Sequence, residues 1–216
     1  MYYIIGDIHG YLDRLENLIA KLGPLAGDDD MLIFLGDYID RGPCSYEVIE
    51  FVMSLSMKYQ VIFLRGNHED MLMKYLAGLD REGLYLYNGG GATIRSYKRH
   101  MGDFILPESH MEFYNNLRSY YEGEDFIAVH GGLDPGVDSM ELQDEHELIW
   151  IREEFILADK RWDKTIIFGH TPTQFITGES AVYVDESRNI IGIDTGVIFG
   201  KQLSCIRWPD RVVISG

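Results

Sequence analysis

Short apolar runs divide the chain, and polar side chains follow directly after each run. The first five runs cover residues 1–5, 31–35, 60–65, 126–129 and 165–168. A continuous apolar run of this length, bounded by turn residues, is typical of a strand that is buried on both faces. Apolar residues repeat at helical spacing in the segments between the first four runs: residues 11–22, 45–57 and 69–79. This alternation predicts an α/β fold in which helices connect mostly parallel strands.

The alternation stops between residues 80 and 123, where aromatic residues and glycines dominate. We interpret this segment as an insertion in the domain. Within it, residues 107–119 are predicted to form a helix, and Tyr120-Tyr121 is predicted to begin a hairpin into the next strand. The glycines at 89–91 indicate either a hinge or a loop that approaches a phosphate, and their number alone does not decide between the two.

After residue 180, four short apolar segments predict a further group of strands. These segments cover residues 181–184, 190–193, 202–207 and 211–214. Because turn residues separate them, we expect the strands to be antiparallel and to form a second sheet.

The polar residues after the first strands follow a repeated pattern. Three motifs follow three successive strands: Gly6-Asp7-Ile8-His9-Gly10, Gly36-Asp37-Tyr38-Ile39-Asp40-Arg41-Gly42 and Gly66-Asn67-His68-Glu69. Asp7, Asp37 and Asn67 are evenly spaced, since 37 − 7 = 30 and 67 − 37 = 30, close to the ~30 residues of one βαβ unit. His130 and His170 follow the fourth and fifth strands. A solvated turn would explain one such segment but not the recurrence, and ligands in open α/β sheets bind at the carboxyl ends of strands.

The side chains at these positions supply oxygen and nitrogen ligands and no thiolate. Such a set favours a catalytic centre with Mn, Fe or Zn over a structural zinc site, which usually contains cysteines. Asp37 is the natural bridge, since its two oxygens can bind two ions at once. Two ions can lower the pKa of a shared water, hold it for in-line attack and neutralise charge that develops on a phosphoryl group. They would also take the net charge from −16 to about −12, so the metal-free protein is expected to be less stable.

Four further side chains are candidates for proton transfer and phosphate binding. His68 is next to Asn67 but offset by one position, which leaves it free to act as a general acid toward the leaving oxygen. Asp40 is placed to orient His68. Arg41 and Arg152 can form bidentate contacts with phosphate oxygens.

Other polar residues are expected to have structural roles. Arg152 lies in an apolar segment and needs an anionic partner, which would be Glu153, Glu154 or a bound phosphate. Glu69 is placed to stabilise the start of a helix, where the helix dipole favours a negative charge. No function is assigned to three histidines outside the motifs: His100, His110 and His146.

The 216 residues carry a formal charge of −16 and are 46% hydrophobic. This length and apolar content fit a single domain, residues 1–216, with the insertion at about 80–123. The negative charge argues against nucleic acid as a partner, because that binding depends on lysine and arginine. No signal peptide or membrane-spanning apolar run is apparent, so we expect a cytoplasmic protein without membrane contact. Cys44 and Cys205 are expected to be reduced.

Together with three later segments, the motifs resemble those of the phosphoprotein phosphatase branch of the calcineurin-like metallophosphoesterases. The later segments are His130-Gly131-Gly132, Gly169-His170-Thr171 and Ile193-Asp194-Thr195-Gly196. The short chain and the segment 88–91 are most similar to the small bacterial and phage serine/threonine protein phosphatases of this family. The resemblance implies an α/β/β/α sandwich, with two mixed β-sheets flanked by helices.

The resemblance also implies a role for each residue of the motifs. One metal would be held by Asp7, His9 and Asp37, and the other by Asp37, Asn67, His130 and His170. The two divalent ions would be Mn²⁺ in the first instance, with Fe, Zn, Ni or Co as alternatives. The proton donor pair would be His68 with Asp40, and the phosphate would be bound by Arg41 and Arg152.

The leading functional hypothesis is a metal-dependent phosphatase that acts on phosphoserine or phosphothreonine in proteins. Arg65 and Glu69, around the Gly-Asn-His motif, favour this reading over a symmetrical dinucleoside-polyphosphate hydrolase, which would use the same metal centre. An inactive metal-binding scaffold is the third reading, but no expected ligand is missing. The expected partner is a phosphorylated protein or a small phosphoester, and the sequence leaves the oligomeric state open, a monomer included.

Overall fold

The computed structural model of the chain describes residues 1–27 and 29–216, and its strands build two sheets of five strands each. In chain order the strands are β1 (Tyr2–Ile5), β2 (Met31–Phe34), β3 (Gln60–Phe63), β4 (Tyr120–Glu122), β5 (Phe126–Val129), β6 (Thr165–Phe168), β7 (Tyr183–Asp185), β8 (Ile190–Gly192), β9 (Ser204–Trp208) and β10 (Val212–Ser215). The helices are α1 (Leu12–Leu22), α2 (Ser45–Leu55), α3 (Asn67–Leu76), α4 (Leu84–Tyr87), α5 (Gly91–Met101), α6 (Glu108–Asn115), α7 (Glu145–Trp150), α8 (Glu153–Ile156) and α9 (Thr173–Thr177). Short 3₁₀ helices lie at Met140–Leu142 and Val197–Phe199.

The parallel strands of each sheet end at the same level. In the first sheet, with the order β10-β9-β1-β2-β3, Ile5 lies opposite Phe34, and Phe34 lies opposite Phe63. In the second sheet, with the order β4-β5-β6-β8-β7, strands β5, β6 and β8 are parallel, and antiparallel strands form both edges. The loops that follow the parallel strands therefore leave each sheet side by side.

Side chains alternate between the two faces of each strand, and both faces are covered. Ile4 and Ile33 of the first sheet pack with Ala128 and Ile167 of the second, between the sheets. Helices α1 and α2 cover the outer face of the first sheet, and α7 and α8 cover that of the second. A fully buried aliphatic side chain at such a position contributes about 2 kcal/mol. This arrangement confirms the predicted sandwich of two mixed sheets flanked by helices.

The last four strands do not form the separate antiparallel sheet that the sequence predicts. Strands β7 and β8 belong to the second sheet, but β8 runs parallel to β6. Strands β9 and β10 extend the first sheet, where β9 is antiparallel to β1. Burial explains the difference, because Cys205 packs under the helices and Ile206 packs between the sheets. A strand with two buried faces belongs inside a sheet, and β9 lies between β10 and β1.

The segment 80–123, which the sequence predicts to be an insertion, contains the helices α4, α5 and α6. Helix α5 is not apparent from the sequence, because Thr93 and Ser96 occupy buried positions where an apolar stripe would be expected. The three glycines lead into this helix, with Gly90 as its N-cap. Helix α6 is shorter than the predicted 107–119, whereas the predicted hairpin is confirmed by the antiparallel pairing of β4 with β5.

Other predictions about the chain agree with the structure. Helices α1, α2 and α3 confirm the three predicted helices, with ends that differ by up to three residues. Cys44 and Cys205 are both free thiols. Within residues 1–27 and 29–216, every helix is too short or too polar to cross a membrane.

Candidate active site

Five strand ends carry the polar groups that the sequence predicts to meet. Asp7 and Asp37 follow β1 and β2, Asn67 begins α3 after β3, and His130 and His170 follow β5 and β6. Each of these side chains belongs to a residue that is at most 4% exposed. Buried polar groups need partners, because burial removes their contacts with water. The carboxyl ends of the two sheets therefore converge on one buried polar centre.

Asp37 lies in the middle of this centre. Its Oδ1 is 3.3 Å from Nε2 of His130, and its Oδ2 is 3.5 Å from Nε2 of His9 and 3.9 Å from Nε2 of His68. In two triplets, one potential ligand atom from each residue lies within 4.8 Å of the others: His9, Asp37 and His68, and Asp37, His130 and His170. A single carboxylate is thus shared by two adjacent groups of potential metal ligands.

Asn67 and Asp7 complete the centre. Oδ1 of Asn67 is 3.1 Å from Nε2 of His130 and 3.0 Å from Nδ1 of His170. The backbone N–H of His170 donates to both oxygens of Asp7, at 3.2 and 3.0 Å. The structure therefore brings together all six residues that the sequence predicts as metal ligands: Asp7, His9, Asp37, Asn67, His130 and His170.

Backbone carbonyls orient two of the histidines. Nδ1 of His9 is 3.0 Å from the carbonyl oxygen of Ile39, and Nδ1 of His130 is 3.0 Å from that of Leu35. Because a carbonyl oxygen only accepts, each Nδ1 carries the proton and each Nε2 presents a lone pair toward Asp37. Burial lowers the pKa of His9 to about 3 and also lowers the pKa of His130. Burial therefore favours the neutral form of both rings, which is the form that binds metal ions.

The loops hold several site residues in strained backbone conformations. His9, Asp37 and His170 have φ values of 49°, 51° and 61°, in the left-handed region that residues other than glycine rarely occupy. Neighbouring glycines make room for the carboxylates. A side chain at Gly66 would collide with Oδ1 of Asp37, and a side chain at Gly169 would collide with Oδ1 of Asp7.

Glu69 fastens two of the loops together. Its buried carboxylate accepts the backbone N–H groups of Asp37, Tyr38 and Gly66, at 2.9, 2.9 and 3.0 Å. Burial and the charge of Asp37 raise the pKa of Glu69 to about 8, although the three hydrogen bonds oppose this shift. The predicted position in the first turn of a helix is confirmed, and the structure adds a direct link to the Asp37 loop.

His68 and Asp40 form a buried pair beside the centre. Nδ1 of His68 is 2.7 Å from Oδ2 of Asp40. An ionised carboxylate only accepts, so Nδ1 of His68 donates to Asp40 and Nε2 faces Asp37. The structure thus assembles the two residues that the sequence predicts as a proton donor pair.

The two arginines border the centre in different ways. Arg41 is exposed, and its Nε donates to the carbonyl oxygen of Asn88 at 3.4 Å. Arg152 is half-buried and donates to the carbonyl oxygen of His170 at 2.9 Å and to the hydroxyl of Thr171 at 3.1 Å. Arg152 therefore donates to neutral oxygens and not to Glu153 or Glu154, and the third predicted partner, a bound phosphate, stays a prediction.

Asp194 is a member of the centre to which the sequence analysis assigns no role. It follows β8, is 5% exposed and accepts the N–H of Gly196 at 3.0 Å. Burial and the charge of Asp37 raise the pKa of Asp194 to about 6. Burial, Asp194 and Asp37 together raise the pKa of Asp7 well above its usual range. The other predicted ligands were located because each follows a predicted strand. The same signal applies to Asp194, which follows the predicted strand 190–193.

Three other histidines lie outside the centre. His110 is buried, but its ring nitrogens are 2.7 Å from the hydroxyl of Tyr97 and 2.8 Å from a carboxylate oxygen of Glu50. His100 stacks on Tyr46, and His146 is exposed. These positions agree with the absence of a predicted role.

The donor set fits a pair of divalent cations. Asp7, Asp37 and Asp194 share a buried space, so their charges repel one another at short range. Burial opposes ionisation of Asp37, whereas any positive charge on the surrounding histidines lowers the pKa of this carboxyl. Carboxylates and neutral imidazoles without thiolates suit Mn, Fe or Zn, and cations would relieve the repulsion.

Comparison with known proteins identifies the family. The family model named calcineurin-like phosphoesterase matches residues 2–200. The chain is 30% identical to the asymmetrical bis(5'-nucleosyl)-tetraphosphatase PrpE of Bacillus subtilis (strain 168), with 99% of the chain and 93% of that protein covered. It is 28% identical to the protein of the same name from Anoxybacillus flavithermus, with 100% of the chain and 93% of that protein covered.

Solved structures share the fold. A candidate diadenosine tetraphosphatase matches with a TM-score of 0.74 and 21% identity, over 100% of the chain and 92% of that structure. A cold-active protein tyrosine phosphatase matches with a TM-score of 0.68 and 16% identity, over 99% of the chain and 78% of that structure. At these identities the likeness concerns the fold alone.

The fold and the buried centre define a metallophosphoesterase, a hydrolase of a class that uses a dinuclear centre of divalent metal ions. The chain belongs to the calcineurin-like phosphoesterase family. The predicted family, fold and enzyme class are therefore confirmed.

Metal binding should raise the thermal stability of the protein, because cations offset the repulsion among the buried carboxylates. Excess ligand at about 100 times Kd stabilises by about 2.7 kcal/mol, which corresponds to a Tm increase of roughly 5–10 °C for a chain of this size. The measurement is thermal unfolding of the chelator-treated protein with and without Mn²⁺. Asp37→Asn removes the shared charge and should abolish the increase; an equal increase in this variant would contradict the assignment.

Asp194→Asn should stabilise the metal-free protein near neutral pH. The folded-state pKa of Asp194 is raised to about 6, so its ionisation costs stability as pH rises through 4 to 6 and above, and costs nothing below pH 4. Relief of this cost is on the order of 1–3 kcal/mol. Urea unfolding at pH 7 and at pH 3.5 tests the prediction, since a gain of the same size at both values would rule out an electrostatic origin.

Proposed function

We propose that the protein hydrolyses bis(5'-nucleosyl) tetraphosphates asymmetrically, into a nucleoside triphosphate and a nucleoside monophosphate. The observation that carries the hydrolytic part of the proposal is the pair of ligand triplets that share Asp37, with His68 and Asp40 beside them. The choice of substrate is supported by the relatives of that name, whose sequences align with the chain over 93% of their length.

In this proposal, the six predicted ligands hold the two metal ions. The metal ions are held by Asp7, His9, Asp37, Asn67, His130 and His170. When bound, the two ions activate a water molecule for attack on phosphorus and neutralise charge on the phosphoryl oxygens. Mn²⁺ is the first candidate, and Fe, Zn, Ni or Co suit the same donors.

The chain's own residues bind the phosphate and supply a proton. Arg41 and Arg152 border the centre, and their planar guanidinium groups match two phosphate oxygens at once. Oxygen from water bonds to phosphorus as the bond from phosphorus to the leaving oxygen breaks. His68 gives the proton on Nε2 to that leaving oxygen, while Asp40 accepts the hydrogen bond of Nδ1 and stabilises the ring in its charged form.

Phosphoserine or phosphothreonine in proteins is the second candidate substrate. Its support is the set of motifs that resemble the phosphoprotein phosphatase branch, above all Gly36-Asp37-Tyr38-Ile39-Asp40-Arg41-Gly42. The same centre suits either substrate, because both reactions transfer a phosphoryl group to water.

A substrate comparison tests the proposed specificity. The Mn²⁺-loaded enzyme should have a higher kcat/KM for diadenosine tetraphosphate than for a phosphoserine peptide, and chromatography should show ATP and AMP as products. Two molecules of ADP would indicate symmetrical cleavage, and a preference for the peptide would establish the second candidate.

His68→Ala should lower kcat by ~10²–10⁴-fold, because it removes the proton donor to the leaving oxygen. His100→Ala is the matched control, since His100 lies outside the centre and stacks on Tyr46. Steady-state kinetics with phenyl phosphate, whose leaving oxygen is more basic than that of a nucleotide phosphate, together with the measured metal content of each variant, give the comparison. An unchanged rate in the metal-loaded His68 variant would exclude this role.

A further inference from the structure

The insertion reaches the proton donor pair through helix α5. Thr93, in the first turn of α5, is fully buried, and its Oγ1 is 2.6 Å from Oδ1 of Asp40. The backbone N–H of Asp40 donates to the same hydroxyl oxygen at 3.0 Å. Ser45, the first residue of α2, is also buried and lies 2.9 Å from that oxygen. Asp40 therefore contacts the insertion with its backbone and with the carboxylate oxygen that His68 leaves free.

The number of available protons determines which group donates in each hydrogen bond around Asp40. Thr93 has one hydroxyl proton, and the short contact with a carboxylate oxygen means that it donates this proton to Asp40. Ser45 then donates to Thr93, and Nδ1 of His68 donates to the other oxygen of Asp40. Because both carboxylate oxygens are occupied, Asp40 cannot rotate without losing a buried hydrogen bond. His68 is held with Nε2 facing Asp37.

The insertion also holds a strained stretch of backbone. Asp40 and Arg41 have φ values of 71° and 67°, so two consecutive residues other than glycine are in the left-handed region. Thr93 accepts the N–H of Asp40, and the carbonyl oxygen of Gly89 accepts the N–H of Arg41 at 3.3 Å. Both acceptors belong to the insertion. Their hydrogen bonds hold Asp40 and Arg41 in the left-handed conformation, which the backbone would otherwise leave.

We propose that Thr93 is a positioning residue, which acts through Asp40 and holds His68 in place for proton donation. Supplying Thr93 is then a function of the insertion. This inference rests on the proposed role of His68 but not on the identity of the natural substrate. A proton donor matters most when the leaving oxygen is strongly basic, because a weakly basic oxygen leaves without a proton. Loss of the Thr93 hydroxyl therefore slows a substrate more when its leaving group is poorer.

The experiment compares the wild-type Mn²⁺-loaded enzyme with Thr93→Val and Thr93→Ser on phenyl phosphate and on para-nitrophenyl phosphate. Valine keeps the size of threonine without the hydroxyl, and serine keeps the hydroxyl. Thr93→Val should lower kcat for phenyl phosphate by about tenfold, which is part of the ~10²–10⁴-fold contribution of a general acid. The loss for para-nitrophenyl phosphate, a better leaving group, should be several-fold smaller. KM should change little, and Thr93→Ser should recover most of the rate.

Ser96→Ala is the matched control. Ser96 is buried on the same helix, but its hydroxyl accepts the N–H of Tyr46 and donates to Glu47, away from Asp40. This variant loses a buried hydroxyl and should show no dependence on the leaving group, while thermal unfolding reports the stability of both variants. If Thr93→Val lowers kcat equally for the two aryl phosphates, or for neither, the proposed role of Thr93 is wrong. The proposed role of His68 is not affected by that result. A wild-type enzyme that hydrolyses neither aryl phosphate would overturn this inference, whereas the proposed function is tested separately with diadenosine tetraphosphate.

Discussion

The charge of Asp37 is the feature on which the centre depends. A buried carboxylate carries a desolvation cost of several kcal/mol unless partners replace the lost water. In this protein, the backbone N–H of His68 donates to Oδ1 of Asp37, and bound cations would supply the rest of that compensation. The position of Asp37 is fixed as well, because its own N–H donates to Glu69 and the backbone of Gly66 lies close to its Oδ1. Charge and position are thus maintained by different groups.

The supports of the centre come from three parts of the fold. The parallel strands β1, β2 and β3 place three ligand-bearing loops side by side, and β5 and β6 bring two histidines from the second sheet. The insertion binds the backbone of Asp40 and Arg41 through Thr93 and Gly89. Strain at these residues persists because the surrounding structure determines their conformation several times over.

Much of this arrangement was predictable from the sequence, because each predicted ligand follows an apolar run that is typical of a buried strand. Asp7, Asp37 and Asn67 are separated by equal numbers of residues, and this separation reflects the length of one βαβ unit. Thr93 could not be predicted, since a threonine in a helix gives no periodic signal and its contact with Asp40 joins residues 53 positions apart. The predicted placement of β9 was wrong for a related reason. The alternation of apolar and polar residues along a strand does not determine which sheet the strand joins. Non-local pairing is decided by packing between segments that lie far apart in the sequence.

The pairing of β9 with β1 has a consequence for biogenesis. The N–H of Gly6, next to Asp7, donates to the carbonyl oxygen of Ser204 at 3.1 Å, and β9 is the neighbour of β1 on that side of the first sheet. Contacts across nearly the whole chain form slowly, because a long loop must close before they stabilise anything. A nascent chain that has emerged from the ribosome only as far as His170 carries all six predicted ligands but lacks the strand that flanks β1. The metal ions should therefore bind only after β9 and β10 have been synthesised and have joined the first sheet.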